Sequence, residues 1–115
     1  MSSIDEQLDA IELSIEQAEV SVKKMTSLQT LTNNKEFSNI ILDGYFKEEA
    51  SRLVLIKAEP SMNSEEDQRE IDKSIIAIGY FRQYLNTIMQ MGKMSQKAMV
   101  DDVETRAELL ANGEL

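Results

Sequence analysis

The chain has 115 residues, no cysteine, no histidine, one proline and four glycines, and its 12 basic against 21 acidic residues leave a formal charge of −9 at pH 7. Without cysteine or histidine there are no disulfides, no thiol nucleophile and none of the Glu-x-x-His pairs of carboxylate-bridged metal bundles. The negative charge repels phosphate backbones and anionic membranes, so neither nucleic acid nor a membrane is expected as a direct partner, and the scarcity of proline and glycine predicts an all-α fold.

The first element announces itself by rhythm. Ile4, Leu8, Ile11, Ile15, Ala18, Val22 and Met25 follow one another in alternating steps of four and three, the spacing of a helix that buries a narrow seam against other helices. Ser3 followed by Glu6 has the capping-box spacing, acidic residues crowd the early turns and Lys23 and Lys24 come late, as the helix dipole prefers. The pattern runs to about Leu28 or Leu31, and Leu13 and Val20 widen the apolar face. Such a helix either packs into its own domain or bundle or forms a free-standing coiled coil. Residues 1–32 are therefore expected to be an association domain whose partner is protein, a second copy or another chain, in an oligomer; isoleucine at three seam positions does not select its order.

A second helix is predicted over about 35–58, with Asn33 and Glu36 as a capping pair and Phe37, Ile40, Ile41, Tyr45, Leu53 and Ile56 on or near its inner face. Pro60 ends it. Ser64 ahead of Glu65, Glu66 and Asp67 starts a third helix, expected to reach about Met91 with Ile71, Ile75, Ile78, Leu85 and Ile88 as its stripe. The short connection makes these two an antiparallel hairpin. Gly92-Lys93 reads as a break or kink, followed by a short C-terminal amphipathic helix with Met94, Ala98, Met99, Val103, Ala107 and Leu110 on one side. Residues 33–115 thus form the expected hairpin body.

Inside the hairpin a signature recurs. Ile40-Ile41-Leu42-Asp43-Gly44-Tyr45-Phe46-Lys47 and Ile75-Ile76-Ala77-Ile78-Gly79-Tyr80-Phe81-Arg82 share the pattern Ile-Ile-x-x-Gly-Tyr-Phe-basic. A glycine within a helix costs about 1 kcal/mol relative to alanine, so two at matched heights predict a close helix crossing at Gly44 and Gly79. Tyr45, Tyr80, Phe46 and Phe81 would then gather with Tyr84 around it.

No phosphate-binding glycine loop, dinucleotide turn or nucleophile elbow occurs, and a serine nucleophile would lack a histidine base. The runs Asn63-Ser64-Glu65-Glu66-Asp67 and Asp101-Asp102-Val103-Glu104 lack the glycine-centred spacing of a calcium loop and read as solvated helix starts and faces. No enzyme activity, cofactor or metal is expected. The opening residues lack the basic start and apolar run of a secretion signal, which predicts a protein made in the cytoplasm, a host cell's included, with a virion as a further location.

The stretch from Phe37 to Met99 resembles small acidic helical proteins of tailed bacteriophages. The resemblance is carried above all by Gly44-Tyr45-Phe46-Lys47-Glu48-Glu49-Ala50-Ser51-Arg52-Leu53 and, after the proline turn, Ile78-Gly79-Tyr80-Phe81-Arg82-Gln83-Tyr84-Leu85. It covers somewhat more than half the chain and implies a virion or assembly component, with no functional residues to carry over. Three functions compete. The first is a helical interaction module that oligomerises or docks on a phage structural protein through its N-terminal helix. The second is an acidic phage inhibitor of a host nucleic-acid enzyme, and the third a cellular adaptor or chaperone.

Overall fold

Three side-chain caps start the helices of the computed structural model, which describes residues 3–113. Ser3 Oγ accepts a hydrogen bond from the Glu6 amide at 3.1 Å and opens α1 (Ile4–Thr32). Asn34 Oδ1 accepts from the Phe37 amide at 2.9 Å and opens α2 (Lys35–Phe37), so the cap falls one residue beyond the Asn33 expected. The chain continues without interruption through a π-helical stretch (Ser38–Glu49) into α3 (Ala50–Lys57). A 3-10 turn (Pro60–Met62) comes next, and Ser64 Oγ accepts from the Asp67 amide at 3.1 Å to open α4 (Glu65–Gly113). No strand occurs among the described residues, and the fold is all-α. Removing the Asn34 cap by Asn34→Ala should cost about 1 kcal/mol, read as a lowered midpoint in urea.

The short C-terminal helix expected from the sequence is not found. α4 continues without interruption through Met91, Gly92 and Lys93 to Gly113, so the segment beyond residue 91 is the second half of a 49-residue helix. A lone glycine costs a helix about 1 kcal/mol, too little to stop one flanked by good helix formers with no proline nearby.

Contacts group the chain into two units, one made of residues 1–28 and 88–115, the other of Gln29–Thr87. This grouping differs from the division expected at residue 32, because the first helix packs on residues 88–113.

In the unit Gln29–Thr87, Leu53, Ile71 and Ile78 form the buried core, with Tyr45, Phe46, Ala50, Ile56, Met62 and Ile75 packed around them. The turn is tied by Gln68, whose Nε2 donates to the Lys57 carbonyl at 3.0 Å and to the Met62 carbonyl at 2.8 Å. The Lys57 carbonyl is one that the end of α3 would otherwise leave unpaired. Lys57 Nζ reaches Asp72 Oδ1 at 2.6 Å across the hairpin. Ile40, expected on or near the inner face, is 68% exposed.

In the other unit, α1 pairs with residues 88–113 of α4. Ile15, Ala18, Met25 and Leu28 are buried on the α1 side, and the matching positions on α4 are Ile88, Gly92, Ser95, Met99, Asp102, Arg106 and Leu109, all buried or half-buried. These seven also step by four and three. Polar bonds flank the seam: Ser14 Oγ donates to Asp102 Oδ2 at 2.7 Å, and Arg106 Nη1 donates to Glu12 Oε1 at 3.1 Å.

Candidate protein-interaction surface

The seven heptad residues lie on one face of α1, as their spacing requires. Ile15, Ala18 and Met25 are buried, Leu8, Ile11 and Val22 half-buried, and Ile4 remains 41% exposed near the end of the pair. The neighbour that covers this seam is the chain's own α4. A Cβ on Gly92 would stand 2.7 Å from Met25 Sδ and 2.8 Å from its Cγ, and one on Gly113 would stand 3.5 Å from Ile4 Cδ1. The seam is thus spent within the chain, and the heptad residues do not present a bare docking edge.

The crossing expected at Gly44 and Gly79 is not formed. Gly79 is exposed, and apart from its own stretch of helix no heavy atom lies within 4 Å of where its Cβ would sit. Gly44 has a local reason instead, because a Cβ there would come within 3.0 Å of the Asn39 carbonyl oxygen, five residues back along the π-helical stretch. A π-helix directs its amides five residues back, so glycine relieves crowding within the helix itself. The close approach of two helices that glycine permits occurs at Gly92, a position the sequence marks only as a break.

The aromatic cluster forms in part. Tyr45, Phe46 and Phe81 gather, with ring centroids 6.0 Å apart for Tyr45–Phe46, 6.1 Å for Tyr45–Phe81 and 5.4 Å for Phe46–Phe81. It is Phe81, two residues past Gly79, that meets the Gly44 motif. Tyr80 is 68% and Tyr84 53% exposed. Their outward position puts two amphipathic rings on the surface of this unit, where such side chains commonly meet partners.

Apolar surface also remains on the α1–α4 pair. The expected face of the last segment, Met94, Ala98, Met99, Val103, Ala107 and Leu110, is not the buried one: only Met99 turns in even partly, while Met94 is 72% exposed. Val100, Val103, Ala107 and Leu110 make an outward stripe with steps of three, four and three. Beside it runs a groove of about 480 Å³ lined by Val22, Gln96, Met99, Val100, Val103 and Glu104. Sequence reasoning missed this groove because it placed Val103 on the apolar side of the last segment and passed over Val100.

Electrostatics offer little chemistry. Arg52 Nε donates to Glu49 Oε2 at 2.9 Å, and this hydrogen bond, aided by the guanidinium charge and opposed by desolvation, holds the Glu49 carboxyl below its usual range and raises Arg52. The contribution of this exposed pair is present above the ordinary glutamate range and is lost as acid carries the pH down through the lowered value; such pairs contribute little. Among the described residues no three carboxylates come together as a metal site, and no helix is long and apolar enough to cross a membrane. Comparison with protein-family models, with curated proteins and with solved structures finds no match to this chain.

Proposed function

We propose that this chain is a non-enzymatic protein-interaction module, a bacteriophage virion or assembly component, that docks another protein through the outer face of its α1–α4 pair. The observation that carries the reading is the open stripe of Val100, Val103 and Leu110, each between 44% and 56% exposed, beside a groove that the chain itself leaves unfilled. Scattered single apolar residues are normal on a surface, but a stripe aligned along one helix is what a partner helix covers. The resemblance to small helical phage proteins supplies the setting.

Mass spectrometry of purified particles from cells producing the chain tests the setting, with a fixed copy number per particle as the expected result. Absence from particles, together with salt-sensitive binding to a basic host nucleic-acid enzyme, would overturn it in favour of an inhibitor.

A further inference from the structure

Charge is distributed very unevenly along the α1–α4 pair. Residues 3–22 hold Asp5, Glu6, Asp9, Glu12, Glu16 and Glu19 with no lysine or arginine. Residues 98–113 hold Asp101, Asp102, Glu104 and Glu108 against Arg106 alone. The excess of nine negative charges in these two stretches equals the net charge of the entire chain, so everything outside them is balanced. The two stretches run side by side, as the Ser14–Asp102 and Glu12–Arg106 bonds show.

The groove opens at the edge of this region, running from Val22 and Gln96, beside Lys23 and Lys97 in sequence, to Val103 and Glu104 within the acidic stretch, with the stripe Val100, Val103, Leu110 beside it. We infer that its occupant is a cationic amphipathic helix of a partner protein, laid along α4 so that its apolar side covers the stripe and its lysines or arginines meet Glu104 in the groove wall and the acidic residues Asp101 and Glu108 of the same helix. This rests on the docking role proposed above and names the chemistry of the partner. Two considerations select it. A second copy of this chain would bring like charge against like, which disfavours self-association through this face. An apolar stripe with steps of three and four accepts a helix rather than a strand or extended segment, and from Val100 to Leu110 it runs roughly 15 Å, so about three turns of partner suffice.

The test titrates the full chain with a synthetic helical peptide of about 20 residues carrying leucine on one face and lysine on the other. Two companions accompany it: a twin with glutamate in place of lysine, and a scrambled peptide of identical composition without a continuous apolar face. Binding is read by fluorescence anisotropy and by methyl NMR. The expected result is binding of the lysine peptide alone, weakening several-fold as salt is raised, with shifts at the Val100 and Val103 methyls. Val103→Gln should weaken it about tenfold and Glu104→Lys several-fold, both at exposed positions where the fold is retained and far-UV circular dichroism unchanged. The inference is overturned if the glutamate twin binds as well, if the scrambled peptide matches the lysine peptide, or if no peptide binds. Should the chain still be found in particles in fixed copy number after such a failure, the docking role stands and only the partner's chemistry is wrong.

Discussion

Ile78→Ala is expected to lower stability by about 2–4 kcal/mol, the cost of deleting three buried carbons from a packed site. Ile78 is 5% exposed and belongs to the small core with Leu53 and Ile71. Its neighbours in that core are held between two helices and relax only in part into the vacated space, which places the loss within the usual range. Ile76→Ala is the control. Its side chain is 53% exposed two residues away, and it should change stability by about 0.5 kcal/mol or less. Urea titration followed by circular dichroism distinguishes them, with a large drop in midpoint for Ile78→Ala at an unchanged slope. Equal losses for the two variants would show that Ile78 is not a core residue.

Gly92→Ala carries the second large effect, and here two forces oppose each other. Alanine favours the helix by about 1 kcal/mol, so on propensity alone the change stabilises. Its methyl group, however, would overlap the Cβ, Cγ and Sδ of Met25. Cβ is fixed to the α1 backbone, so no rotamer change frees it and the helices must separate. Overpacking of this kind costs about 1–3 kcal/mol, and more where backbone has to move, so a net loss of about 1–2 kcal/mol is expected. Hydrogen exchange should quicken in α1 while amides near Leu53 and Ile71 keep their protection. A double-mutant cycle sharpens the point: Met25→Ala should relieve the penalty in part, and Met25→Gly should remove it. A gain in stability for Gly92→Ala would mean that the two helices are not in contact there.

Much of this architecture was legible in the residues. The caps at Ser3 and Ser64, the proline-marked turn and the heptad of α1 each arise from local chemistry that no tertiary contact overrides. The mate of that heptad was not legible. Ile88, Gly92, Ser95, Met99, Asp102, Arg106 and Leu109 keep the correct steps, but four of them are small or charged, so an apolar periodicity passes over them and settles on Met94, Ala98 and Val103 instead. Their burial is explained by partners that only the folded pair provides: Ser14 for Asp102, Glu12 for Arg106 and Met25 for the bare backbone of Gly92. The groove beside Val100 and Val103 was hidden by the same substitution of faces. Gly44 and Gly79 misled for a different reason, since an internal repeat fixes spacing along the chain and says nothing of which residues stand opposite one another.

The pairing of the first helix with the last bears on how the protein is born. A ribosome releases α1 well before Ile88 to Leu109, so every residue of Gln29–Thr87 emerges while α1 still waits for its cover. Domains commonly fold as they emerge, and apolar surface exposed in that interval is what invites aggregation. The six carboxylates between Asp5 and Glu19 give the uncovered helix a like charge in that interval, and like charge opposes the association of one copy with another.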